Sequence, residues 1–66
     1  MRITVNDEPR TLDDGATVAD LIAACGLEPR RVAIEVNARL VRRATFAETS
    51  LQDGDRIEIV TLVGGG

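Results

Sequence analysis

The sequence lacks histidine, lysine, tryptophan and tyrosine, and its 66 residues include a single cysteine. One cysteine excludes an internal disulfide, and without histidine the usual zinc, copper and haem ligand sets cannot be assembled from this chain alone. Without lysine, the chain offers no side-chain amine for a Schiff base. These absences argue against metal chemistry and against amine-based covalent catalysis.

Long apolar runs and clusters of basic residues are also missing. The opening stretch, MRITVNDEPR, lacks the apolar core of a signal peptide, and no segment approaches the roughly 20 apolar residues that span a bilayer. The net charge is −3, and Phe46 is the only aromatic residue. Binding to nucleic acid usually needs a clustered basic surface, often with aromatic platforms for the bases. We therefore expect a cytoplasmic protein with neither a nucleic-acid nor a membrane partner.

The length of the chain limits what it can enclose. A domain of this size buries only about 60% of the surface of its unfolded chain, so its core is thin. We expect one domain, with no room for an enclosed active site.

The first residues predict a hairpin. In RITVN, residues 2–6, apolar Ile3 and Val5 alternate with polar residues, as in a half-buried strand. NDEP follows with three turn-forming residues, so RTL, residues 10–12, is expected to return as the second strand after a somewhat loose loop.

The clearest helix is predicted near residues 17–25. Thr17 and Asp20 form a shortened capping box, apolar residues follow at helical spacing, and Gly26 occupies the position of a left-handed cap. Cys25 belongs to the apolar stripe of this helix. We interpret it as a packing residue rather than a catalytic or redox residue.

After the helix, the alternation returns to a period of two. VAIEVN, residues 32–37, predicts a strand, the following ARL is expected to turn the chain, and Leu40 with Val41 forms a short returning strand. A crossing segment with one helical turn around Phe46 leads to a turn at residues 53–55. We interpret Phe46 as a core residue.

The last strand, RIEIVTLV, has two different faces. One carries Ile57, Ile59, Thr61 and Val63, and the other carries Arg56, Glu58, Val60 and Leu62. Two interpretations of Val60 and Leu62 are open. Neighbouring side chains cover them, or they form the base of a partner-binding surface, with Arg56 and Glu58 adding charge at its rim.

The order of elements indicates an α+β fold. Strand, strand, helix, strand, short strand and strand correspond to the β-grasp arrangement of ubiquitin, in which a mixed sheet of four or five strands packs on one main helix. The first and last strands would then be parallel neighbours, with the last strand in the centre of the sheet. We expect this domain to span residues 1–63, followed by a flexible glycine tail at residues 64–66.

The tail contains half of the glycine in the chain, three of six residues. One explanation is a disordered end, because disorder concentrates at chain termini. The other is a segment that threads into a narrow site of another protein, where only a residue without a side chain and with free backbone angles fits.

The chain resembles the ThiS family, the sulfur carrier proteins of thiamin biosynthesis, over nearly its whole length. The resemblance rests on ITVN in the first strand, TVADLI at the start of the helix, VAIEVNARLVRR in the middle, and LQDGDRIEIVTLVGGG at the end. Members of that family often have tryptophan at the position of Phe46. This reduction in volume is one that a core can absorb.

The resemblance implies a carrier rather than an enzyme. The carboxylate of Gly66 would be adenylated and converted to a thiocarboxylate, while Gly65 and Gly64 thread the partner's site. For Gly64 a second interpretation is open, in which it is only a spacer. No cofactor would be bound, since the ATP is used by the activating enzyme. The implied partners are an E1-like adenylyltransferase of the ThiF type, a thiazole synthase of the ThiG type and a sulfur donor such as a cysteine desulfurase.

Two alternatives stay open at this point. The chain could carry sulfur for another pathway, such as molybdopterin or cysteine synthesis, because the fold does not separate these pathways. It could also be a non-covalent ubiquitin-like binding module with an incidental tail.

Overall fold

The computed structural model describes residues 1–62; Val63 and the expected tail at residues 64–66 lie outside the described residues. The strands are β1 (Arg2–Val5), β2 (Glu8–Thr11), β3 (Val32–Val36), β4 (Arg39–Val41) and β5 (Arg56–Thr61). The α-helix is α1 (Val18–Ala24), and short 3-10 helices span Pro29–Arg31 and Arg43–Glu48. The second 3-10 helix confirms the predicted helical turn around Phe46.

The five strands form one mixed sheet in the order β2-β1-β5-β3-β4. β1 and β5 are parallel neighbours, and the other pairs are antiparallel. Backbone bonds join the parallel pair, with Thr4 N–H donating to Asp55 O at 3.0 Å and Asn6 N–H to Ile57 O at 2.9 Å. The β-grasp prediction is therefore confirmed, including the central position of the last strand.

Both hairpins close with turns of two residues. Asn6 and Asp7 have φ angles of 51° and 68°, and Asn37 and Ala38 have φ angles of 52° and 68°. Positive φ at both central residues is the mark of a type I′ turn, whose twist matches that of the strands it joins. The two hairpins thus share one turn geometry.

These turns correct two predictions. The first loop is tight rather than loose, so β2 begins at Glu8 and not at Arg10. The second turn uses Asn37 and Ala38, so Arg39 already belongs to β4. Register explains both differences, since two-residue loops place the strand partners immediately on either side of the turn.

Pro9 is tolerated within β2 because of its position in the sheet. β2 is an edge strand, and Pro9 lies opposite Thr4. The N–H of Thr4 is directed to Asp55 on the other side of β1, so this pair forms no ladder bond that proline would remove. A turn-forming residue can therefore stand in a strand here.

The signals at both ends of α1 act as predicted. Asp20 N–H donates to Thr17 Oγ1 at 3.2 Å, and Thr17 N–H donates to Asp20 Oδ2 at 2.9 Å, which completes the capping box. At the other end Gly26 has a φ of 71°, and the N–H groups of Gly26 and Leu27 bond carbonyls of the preceding turn. No helix among residues 1–62 is long and apolar enough to cross a bilayer.

The core lies between α1 and one face of the sheet. It consists of Ile3, Val18, Leu21, Ile22, Val32, Ile34, Phe46, Leu51 and Ile57. Phe46 is 4% exposed, which confirms it as a core residue. Half-buried Cys25 packs against this cluster, in agreement with its interpretation as a packing residue.

We expect Phe46→Ala to lower the free energy of unfolding by about 3–5 kcal/mol, because it removes a buried ring and leaves a cavity. Urea denaturation followed by circular dichroism measures the loss. Phe46→Leu, which removes less volume, keeps a folded variant available if the alanine variant does not fold. Leu40→Ala, at an exposed position, should change stability by no more than about 0.5 kcal/mol. Equal losses at the two positions would contradict this description of the core.

Candidate functional site

The sheet has one covered face and one open face. α1 covers the face that carries Ile3, Ile34 and Ile57. Residues paired across neighbouring strands project to the same side of a sheet. The pairs Thr4 with Arg56, Glu35 with Glu58, Ala33 with Val60 and Glu35 with Leu40 all lie on the other side, which we call the open face.

Val60 and Leu62 form an exposed apolar patch at the end of β5. Val60 is 60% exposed and Leu62 is 47% exposed. The interpretation that neighbouring side chains cover them is therefore wrong for the part of the chain that the structure describes. The patch is fixed at its end, because Leu62 N–H donates to Arg31 O at 2.7 Å. It lies immediately before residues 63–66.

Leu40 is a third exposed apolar residue that the sequence analysis did not assign to a surface. It is 69% exposed and lies on β4 opposite Glu35. The alternation in β3 places Glu35 on the open face. Leu40 could be assigned to the same face only from the register of the β3–β4 hairpin, which pairs it with Glu35. On the open face, Leu40, Glu35 and Glu58 form one row across β4, β3 and β5, and Val60 lies in the next row, opposite Ala33.

Arg56 and Glu58 are both exposed on the open face, next to the apolar patch along β5. Glu35, which the sequence analysis missed, stands directly opposite Glu58. Among residues 1–62 the ion pairs are the Met1 amine with Asp14 and Arg31 with Glu28, so neither of the opposed glutamates has a cation within bridging distance. Like charges directly opposite one another destabilise a sheet.

The start of β5 is fixed on both sides. Asn37 N–H donates to Arg56 O at 2.7 Å, and Arg56 N–H donates to Asn37 Oδ1 at 2.9 Å. On the other side, Gly54 N–H donates to Arg2 O at 2.7 Å, and Arg2 N–H donates to Asp53 Oδ1 at 2.7 Å. Hydrogen bonds to Asn37 on one side and to Arg2 on the other therefore hold the start of β5 and the turn before it.

Within residues 1–62, no three side chains of histidine, cysteine, aspartate or glutamate come together as metal ligands. The expected modification site Gly66 and the threading residues Gly65 and Gly64 lie outside the described residues.

Comparison with known proteins identifies the family. The model of the ThiS family matches residues 3–66. The chain is 30% identical to the sulfur carrier protein ThiS of Escherichia coli over 66 residues, which is 100% of both chains. It is also 36% identical to a thiazole synthase of Paramagnetospirillum magneticum over 66 residues, but it spans only 20% of that protein's length.

A solved structure agrees with these matches. The crystal structure of the thiamine biosynthesis protein ThiS from Geobacter metallireducens superposes with a TM-score of 0.84 at 33% identity and covers 100% of both chains. The likeness therefore extends over the whole sheet and its helix. The chain belongs to the ThiS family, a family of small sulfur carrier proteins rather than catalysts.

Proposed function

We propose that this protein carries sulfur for thiamin biosynthesis as a thiocarboxylate on Gly66. The observation that supports this most directly is membership of the ThiS family, matched over residues 3–66. The alignment with the sulfur carrier protein ThiS of Escherichia coli over 66 residues supports the same carrier function.

The chemistry follows from the poor reactivity of a carboxylate. Its negative charge repels a nucleophile, and an oxide is a bad leaving group. Attack of the Gly66 carboxylate on the α-phosphate of ATP releases pyrophosphate and forms an acyl-adenylate. Sulfide then forms a C–S bond at the carbonyl carbon as the C–O bond to AMP breaks, and loss of a proton leaves the thiocarboxylate. Where the donor is a persulfide, the same displacement gives an acyl disulfide, and a thiol reductant must then cleave its S–S bond to release the thiocarboxylate. ATP is a substrate of the activating enzyme, and this chain itself binds no cofactor.

The proposed tail uses glycine for a steric reason. Gly65 and Gly66 have no side chains to obstruct a narrow site, and glycine is able to adopt backbone angles that are closed to other residues. Gly64 either shares this threading role or acts as a spacer. Activation and sulfur transfer both require the carboxyl carbon to reach reacting groups in another protein. The length and the width of the glycine tail therefore limit the reaction.

We propose three partners in the cytoplasm. An E1-like adenylyltransferase of the ThiF type activates Gly66, a donor such as a cysteine desulfurase provides the sulfur, and a thiazole synthase of the ThiG type receives it. The match to thiazole synthases, of which the chain spans 20%, supports the last partner. It also favours thiamin over molybdopterin or cysteine synthesis.

The open face is the proposed docking surface. Val60 and Leu62 are exposed apolar anchors next to the tail, and buried apolar anchors generally dominate the affinity of an interface. Arg56 and Glu58 add charge at the rim, which mainly steers association. The opposed pair of Glu35 and Glu58 favours a partner that presents a basic group at this point.

Deleting Gly66 should abolish formation of the thiocarboxylate. The shortened chain reaches about 3.5 Å less far, and a misplacement of about 1 Å can already cost on the order of a hundredfold in rate. Intact mass spectrometry after incubation with ATP, the activating enzyme and a sulfur source measures the gain from exchanging one oxygen for sulfur.

The wild-type chain is the positive control. A second variant, with one residue added after Gly66, should also fail because its carboxylate is displaced. Thermal unfolding should be unchanged in both variants. Equal sulfur loading of the truncated and wild-type chains would rule out Gly66 as the site. Wild type that binds the enzyme but never gains mass would favour a non-covalent binding module.

Leu62→Asp should raise the KM of the activating enzyme for this chain at least about tenfold, since it places a charge in the apolar anchor. Pyrophosphate exchange at varied carrier concentration measures KM. Ala47→Asp, at an exposed position in the 3-10 helix Arg43–Glu48, adds the same charge away from the open face and should leave KM unchanged. The same KM for both variants would show that the docking surface lies elsewhere.

Glu35→Gln should stabilise the fold and weaken docking at the same time. Relief of the repulsion with Glu58 is expected to raise the free energy of unfolding by about 0.3 kcal/mol. The loss of negative charge should slow association with a basic partner, most clearly at low salt. Urea denaturation and stopped-flow binding measure the two effects. Glu48→Gln is the control, and an association rate equally reduced by both substitutions would exclude a specific role for Glu35.

A further inference from the structure

β1 is too short to accompany β5 to the apolar patch. β1 ends at Val5, and the last backbone bond to β5 comes from the next residue, Asn6, whose N–H donates to Ile57 O at 2.9 Å. The next residue of β5 that faces β1 is Ile59. The chain has already turned away at Asn6 and Asp7, so no β1 backbone group is left for Ile59.

The side chain of Asn6 takes the place of the missing residue. Its Oδ1 accepts a hydrogen bond from Ile59 N–H at 2.9 Å, and its Nδ2 donates to Ile59 O at 3.2 Å. A carboxamide has the same donor and acceptor as a peptide group. The pairing of β5 is thereby extended by one step beyond the end of β1.

We propose that Asn6 is a positioning residue for the docking surface, an inference that rests on the proposed function. Ile59 lies between Glu58 and Val60, so the amide of Asn6 holds the backbone from which Val60 projects. On the β3 side, the bond from Leu62 to Arg31 holds the same segment. The apolar patch is therefore presented between two anchors rather than on a strand held from one side.

Position 6 requires a residue that tolerates positive φ and a side chain that both accepts and donates a hydrogen bond, and asparagine provides both. Position 6 has a φ of 51°, a conformation in which asparagine and glycine are both well tolerated. Glycine would satisfy the turn but has no amide. Aspartate would accept from Ile59 N–H, but its ionised carboxylate cannot donate to Ile59 O.

Asn6→Gly isolates the amide, because it preserves the turn and removes only the side chain. Asp7→Gly is the matched control. Asp7 lies in the same turn with a φ of 68°, and within the described residues its side chain forms no hydrogen bond or ion pair. Both variants gain the same backbone freedom, and only one loses the bonds to Ile59.

Two measurements test the proposal. Amide hydrogen exchange of Ile59 should accelerate about fivefold in Asn6→Gly, as expected for the loss of the bond that Ile59 N–H donates to Asn6 Oδ1, and should be unchanged in Asp7→Gly. In pyrophosphate exchange with the activating enzyme and ATP, Asn6→Gly should raise the KM for this chain by a similar factor with kcat nearly unchanged. Asn6→Asp, which retains the acceptor, should lie between wild type and Asn6→Gly in both measurements.

The outcomes separate this inference from the function on which it rests. A role in stability alone predicts a lower midpoint of unfolding with an unchanged KM at temperatures where both variants are fully folded, and that result would overturn the proposal. So would equal KM values for Asn6→Gly and Asp7→Gly when Leu62→Asp raises KM. If the wild-type chain is not adenylated at all, the proposed function fails, whereas the exchange rate of Ile59 still reports on the amide.

Discussion

The parallel pairing of β1 with β5 is the constraint on which the other features depend. A parallel pair cannot be joined by a tight turn, so the chain must pass through α1 and the second hairpin before β5 can enter the sheet. That path places β5 between β1 and β3 and leaves the two hairpins to form the edges. α1 covers one face, and the open face of the central strand then ends in the apolar patch.

Two asparagines connect the hairpin turns to this central strand. Asn6 and Asn37 each occupy the first position of a type I′ turn, where positive φ is required. Each also directs its side chain to β5, with Asn37 bonding the backbone of Arg56 and Asn6 bonding that of Ile59. The geometry of the turns and the position of β5 are thus fixed by the same residues.

Local signals in the sequence were sufficient to predict α1 and the order of the strands along the chain. The capping box of Thr17 and Asp20 and the cap at Gly26 depend on nearby residues, so they can be identified without the fold. The loop after β1 was predicted to be too long because Pro9 is a residue type typical of turns. Pro9 is tolerated in β2 because β2 lies at the edge of the sheet. Ala38, with positive φ, has no sequence signature of a turn at all.

The candidate site was predictable only in part, because some of its residues come together through the register between strands. Alternation along β5 identified Val60 and Leu62, because one strand determines its own two faces. Glu35 and Leu40 joined the open face only once the register between strands was known. A single strand pattern cannot show which side chains meet across a sheet, and the acidic pair is a property of two strands.

The central position of β5 has a mechanical consequence. A force applied along β5 in the direction of Leu62 acts parallel to the strand and across bonds to neighbours on both sides. These bonds are loaded in shear and must yield together, whereas a strand peeled from an edge opens one bond at a time. A protein that grips the residues after Leu62 can therefore pull on the chain, and draw its end into a confined channel, without unzipping the sheet that delivers it.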